Sequence, residues 1–118
     1  QYLNIAMNFC FNMHPKTKNL KFKAKIFRAI SDPVRLEILE FLREGERCVC
    51  EIVPYMGIAQ PLVSRHLAIL KNCGLVKHRK HGNRRFYSIA DPAIFRVIDA
   101  VDAEFLDALS KRVIEQIV

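Results

Sequence analysis

The stretch that decides the fold is CVCEIVPYMGIAQPLVSRHLAILKNCGLV, residues 48–76. It reads as a short helix, a tight turn at Gly57 and a second helix from about Gln60 to Asn72, stopped by Gly74. Two helices joined by a short turn containing Gly form a helix-turn-helix. In the second helix Val63, Leu67 and Leu70 recur at helical spacing as an inward stripe, which leaves Gln60, Ser64, Arg65 and Ala68 outward. Amide, hydroxyl and guanidinium groups on one exposed face suit the base edges and phosphates of a major groove.

Downstream, LVKHRKHGNRRFYSIA (75–90) alternates like a β-hairpin. Val76, His78 and Lys80 mark one arm, Phe86, Ser88 and Ala90 the other, and Gly82-Asn83 the turn. Arg79, Lys80, His81, Arg84 and Arg85 crowd its tip. A basic hairpin directly after a recognition helix is a wing, able to follow a nucleic-acid backbone.

Upstream, SDPVRLEILEFLREGE (31–46) predicts a helix with Ser31 or Asp32 as N-cap, Pro33 in its first turn and Gly45 at its end. Before it, LKFKAKIFRAI (20–30) fits two periods. Leu20, Ala24, Phe27 and Ile30 form a helical stripe, whereas Leu20, Phe22, Ala24 and Ile26 alternate as in a strand; its length and its continuity with the next segment favour helix. The last segment, 91–118, opens on an Asp-Pro cap and predicts one long amphipathic helix. Its stripe runs Ile94, Ile98, Val101, Phe105, Leu109, Val113 and Ile117. That stripe exceeds what so small a domain can cover, so packing against a second copy is expected.

At 118 residues, half apolar and a quarter charged, the chain reads as one domain over 20–118 preceded by an N-terminal extension, 1–19. No apolar run approaches the roughly 18–20 residues of a membrane span. The apolar opening QYLNIAMNFCFNM lacks the basic leader and cleavage site of a signal peptide. Charge is strongly segmental. Residues 52–90 hold seven Lys or Arg and no acid, with His66, His78 and His81 among them, as a polyanion-binding face requires. Cysteines at 10, 48, 50 and 73 do not resemble a disulfide framework, so a reducing cytosol is expected, where Cys48 and Cys50 read as metal-binding, redox-active or structural. No Ser-His-Asp set, phosphate-cradling glycine loop or pair of catalytic carboxylates points to an enzyme, nor is an organic cofactor implied.

In this order and spacing, SDPVRLEILEFL, CVCEIV, QPLVSRHLAILKNCGLV and RKHGNRRFYSI resemble the arsenic-responsive (ArsR/SmtB) repressors over about residues 20–92. The resemblance implies a mainly α winged helix-turn-helix with a small β-hairpin, dimeric through long terminal helices. It also implies occupation of a two-fold symmetric operator on double-stranded DNA, relieved when a metalloid or metal binds. Gln60, Ser64, Arg65 and His66 then fall at the recognition positions, Arg79, Lys80, Arg84 and Arg85 in the wing. Cys48 and Cys50 match the cysteines that bind soft ions, arsenite or antimonite first, then cadmium or lead. Thiolates do prefer such ions, and a helix N-terminus favours the thiolate. Residues two apart on a regular helix point about 200° apart, so an ion gripped by both sulfurs is expected to distort the first turn.

The chain departs from the family pattern at Val53, where arsenic-type members often carry a third cysteine, which makes Cys10 of the partner chain the candidate third ligand. The terminal helix has no histidine, so Asp99, Asp102, Glu104 and Glu115 read as a solvated face rather than a zinc site. Ala59 stands where relatives often have a capping Ser, a difference worth about 1 kcal/mol. Cys73 is expected to be structural. Two rival readings keep DNA binding: a thiol redox switch at Cys48 and Cys50, and a constitutive architectural protein with a steep salt dependence and no effector.

Overall fold

Residues 15–117 are described by a computed structural model. Helix α1 (Pro15–Ile30) leads into α2 (Pro33–Leu42), a two-residue strand β1 (Arg47–Cys48), and helices α3 (Val49–Met56) and α4 (Gln60–Asn72). Strands β2 (Val76–His81) and β3 (Arg84–Ile89) follow, then α5 (Ile94–Ala100) and α6 (Ala103–Ile117). The result is the expected mainly helical winged helix-turn-helix.

Local chemistry sets most boundaries. Asp32 caps α2, its Oδ1 accepting from the amides of Val34 at 2.8 Å and Arg35 at 3.2 Å. Partial desolvation, the largest single influence, pushes the Asp32 carboxyl up, but the two amides together with the charges of Arg35 and His66 leave it below its ordinary value. Gly57 ends α3 in the left-handed conformation at φ 66°. Between β2 and β3, Gly82 takes φ 62° while Asn83 stays at negative φ, the pattern of a type II′ hairpin turn.

The core lies where α2, α3, α4 and the sheet meet. Ile38, Leu39, Leu42, Ile52, Val63, Leu67 and Leu70 are essentially inaccessible, with Val76, Tyr87, Ile94 and Phe95 closing around them. The stripe expected inside α4 is therefore the buried one.

Four expectations need correction. The sheet has three strands in the order β1-β3-β2, because Arg47 and Cys48 pair antiparallel with Tyr87 and Phe86. On β3 the buried residue is Tyr87, with Phe86 and Ser88 only half-covered and Ala90 exposed, so the arm presents the opposite parity to the core. In α1 it is Ile26, Ala29 and Ile30 that pack inward, while Leu20 and Phe27 stay exposed. The long terminal helix is two. Val101 leaves helical backbone (φ −87°, ψ 69°), and Asp102 starts afresh by accepting from the Phe105 amide at 2.9 Å. A capping Asp inside a continuous apolar period is what divides it.

The division separates two environments. Ile94 and Phe95 of α5 are buried in the core, and Arg43 ties α5 to the end of α2 through a bidentate pair with Asp99 while lying 4.4 Å over the Phe95 ring. Nothing in α6 is buried: Phe105, Leu106, Leu109, Val113, Ile114 and Ile117 are all exposed.

Candidate functional site

The face expected to read DNA is built on α4. Gln60, Ser64, Arg65 and Ala68 are exposed on the side opposite Val63, Leu67 and Leu70. Pro61 stands in the first turn and Ala59 gives no side-chain cap. His66 is different. It is half-buried, with Nδ1 3.1 Å from Nη1 of Arg35. A guanidinium only donates, so Nδ1 is the acceptor here. Arg35 also donates to the carbonyls of Ala29 and Arg28 at the end of α1, and so brackets α1, α2 and α4 together. His66 is thus turned toward the interior while Ser64 and Arg65 face outward. A helical count would have revealed this, since position 66 flanks the stripe 63, 67, 70.

The wing carries Arg79, Lys80, His81, Arg84 and Arg85, all exposed. Arg79 is held by Glu46 through two contacts, at 2.9 and 2.6 Å, with its guanidinium 4.6 Å over the Phe86 ring. The hydrogen bonds from Arg79 keep the Glu46 carboxyl below its ordinary range. Among the described residues, Lys80, Arg84 and Arg85 have no carboxylate partner. The density of positive charge is felt at His78, whose pKa is lowered first by desolvation and then by Lys71, Arg85 and Lys80.

Cys48 and Cys50 meet. Cys48 is the N-cap of α3 in extended backbone (φ −71°, ψ 147°), and Cys50 lies in the first turn. Their sulfurs are joined as a disulfide across a Cα–Cα separation of 5.0 Å. The expected conflict between sulfurs 200° apart does not arise, because Cys48 belongs to β1 rather than to the helix, and the first turn is regular. Sγ of Cys48 accepts from the Cys50 amide at 3.1 Å, and the Glu51 carboxylate accepts from the Cys48 amide at 3.1 Å. Cys48 is buried and Cys50 exposed.

When reduced, this pair offers two soft donors beside helix N–H groups, a donor set that fits a thiophilic ion. Among the described residues no group of three or more Cys, His, Asp or Glu gathers. Cys10 lies outside the described residues. Cys73 is free and half-buried, its thiol donating to the Leu70 carbonyl at 3.2 Å. Asp99 is paired with Arg43 and Asp102 caps α6, so neither is a spare ligand.

The pair opens into a groove of about 590 Å³ between α4 and the wing, reached by Gln60, Ser64, Lys71, Arg84 and Arg85. The cysteine pair and the exposed face of α4 therefore share one cleft. The sequence could not reveal this, because β1 exists only through its pairing with β3.

The comparisons agree with this architecture. The family profile described as "Bacterial regulatory protein, arsR family" matches residues 32–78. A probable mercury resistance operon repressor of Streptomyces lividans is 46% identical over 88 residues, 75% of this chain and 64% of that protein, just under two thirds of its length. The HTH-type transcriptional repressor SmtB of Mycobacterium tuberculosis is 38% identical over 100 residues, 84% of this chain and 74% of that protein. Among solved structures, the homodimeric winged helix-turn-helix DNA-binding domain of a possible ArsR-family regulator from Mycobacterium bovis superposes with TM-score 0.71. It has 32% identity and covers 82% of this chain and 94% of that chain.

Proposed function

Since this chain belongs to the ArsR/SmtB family of metal-responsive, DNA-binding transcriptional repressors, we propose that it occupies a two-fold symmetric operator as a homodimer and leaves it when a thiophilic ion binds Cys48 and Cys50. The observation that carries this reading is the meeting of the two sulfurs at the base of the groove between α4 and the wing.

Gln60, Ser64 and Arg65 would face base edges, and Lys80, Arg84 and Arg85 the phosphates, with Arg79 joining them when it leaves Glu46. His66 holds α4 through Arg35 and so positions the others. The unpartnered apolar face of α6 is the surface for the second copy. A bound ion displaces thiol protons and sits in the cleft from which the DNA is gripped. By linkage, whatever weakens DNA in the ion-bound form weakens the ion equally in the DNA-bound form.

Trivalent arsenic or antimony comes first among the ions, then cadmium or lead. Mercury joins them through the likeness to the probable mercury resistance operon repressor of Streptomyces lividans. Mercury(II) is satisfied by two thiolates, whereas arsenite takes three, so a third sulfur from outside the described residues must join Cys48 and Cys50. The responsive form has both thiols reduced, which suits a reducing cytosol.

Operator binding followed by fluorescence anisotropy tests this, with DNA from upstream of the chain's own gene and arsenite, cadmium, mercury or zinc added to reduced protein. Release by a soft ion at about one equivalent per site is expected, with Cys48→Ser binding DNA normally but failing to respond. Normal release by Cys48→Ser would sink the sensor assignment, and tight binding undisturbed by any ion would favour the architectural reading.

The disulfide between Cys48 and Cys50 favours a second reading, in which oxidation of the pair is itself the signal. Equal operator affinity of the oxidised and reduced chains would remove it.

A further inference from the structure

The groove is larger and more basic than a bare ion requires. Its volume of about 590 Å³ falls in the range of small-molecule sites, and no carboxylate lines it. Lys71, Arg84 and Arg85 reach it, and none has a carboxylate partner among the described residues, whereas Arg43, Arg47 and Arg79 are all paired with acids. The described residues supply two sulfurs, one short of what a three-coordinate ion takes. In a thiol-rich fluid, thiophilic ions travel as thiolate adducts rather than as free ions, and they move by exchange of one thiolate for another.

Resting on the reading that Cys48 and Cys50 hold such an ion, we propose that the ion binds together with one small anionic thiol. This thiol supplies the third sulfur, and its carboxylates are held by Lys71, Arg84 and Arg85. With R–S standing for the carrier, As(SR)3 and two cysteine thiols give one arsenic bound to both cysteine sulfurs and one R–S, plus two R–SH. Two arsenic–sulfur bonds break and two form, the cysteine protons leave on the departing thiolates, and arsenic stays trivalent. Cys50 is exposed and exchanges first; the buried Cys48 closes the site. The carried carboxylates then occupy the same guanidinium groups that face DNA phosphates, so the adduct competes with DNA directly.

The test compares carriers on the reduced full-length chain. Arsenite is added with mercaptosuccinate, which carries two carboxylates, or with neutral 2-mercaptoethanol. Native mass spectrometry reads the composition, and the ultraviolet absorbance of the arsenic–thiolate bonds reads the affinity. The expected result is a complex holding one arsenic and one mercaptosuccinate per chain. Its arsenic should bind roughly tenfold more tightly than with 2-mercaptoethanol, about the combined worth of two solvent-exposed ion pairs. That preference should shrink in Lys71→Gln and at high salt. Arsenic held without a carried thiol, bridging two chains, or bound equally with both carriers would overturn the proposal and leave the sensor reading standing. No arsenic bound with either carrier would overturn both.

Discussion

At the scale of single residues, the wing's cations are not equivalent. Arg79 is engaged by Glu46 and stacked on Phe86, whereas Arg84 has no acidic partner among the described residues. Replacing Arg84 by Ala should therefore lower the slope of log affinity against log salt by about one, measured by anisotropy across a salt series. Glu46→Gln, by freeing Arg79, should tighten operator binding by up to about fivefold, the worth of one exposed pair; an unchanged or weaker affinity would mean that Arg79 does not reach the DNA. On the reading face, Arg65→Ala should abolish operator binding and leave the dimer intact by sedimentation. The residues read outward from the sequence alone, Gln60, Ser64 and Arg65, are exposed, because a helical stripe of three apolar residues fixes both faces at once. The Arg35–His66 contact was not legible. It depends on how α1, α2 and α4 cross, and no local pattern records that.

At the scale of elements, legibility followed length. Helix α4 runs over the span read from the sequence, since its apolar period and the glycine beyond it are both local signals. Strand β1 has two residues and no period of its own, and the edge it completes lies nearly forty positions away on β3. The placement of Cys48 was hidden with it, and so was the reason the sulfurs meet. The break before α6 was missed for the opposite cause: the apolar period runs straight through Asp102, and only the side-chain cap interrupts it. Helix α4 owes its seat to packing more than to capping. Leu67→Ala should cost about 3 kcal/mol by urea unfolding, whereas Ala59→Ser should add up to about 1 kcal/mol by restoring a cap. A loss on Ala59→Ser would show that the loop before α4 cannot turn the hydroxyl toward its amides.

At the scale of the whole molecule, acid should act through the clamp between α2 and α5. Hydrogen bonds from Arg43 hold the Asp99 carboxyl below its ordinary range, against a smaller push from desolvation. The folded pKa is thus below the unfolded one. The stabilisation is complete above the ordinary carboxylate value near 4 and fades as pH falls through the lowered value. Asp99→Asn should flatten that part of the acid unfolding curve, and an unchanged curve would mean the pair contributes nothing. The bare face of α6 sets a second molecular property. With Leu109→Lys and Val113→Glu introduced together, the chain should sediment as a monomer and lose operator affinity. A helix of 15 residues with nothing buried is marginal by itself in water. With α6 as the proposed surface for the second copy, a chain without its partner carries an exposed apolar helix, the kind of segment proteases cut first. Unassembled copies would be short-lived and paired ones durable, so that turnover itself keeps the pool of repressor close to the pool of dimer.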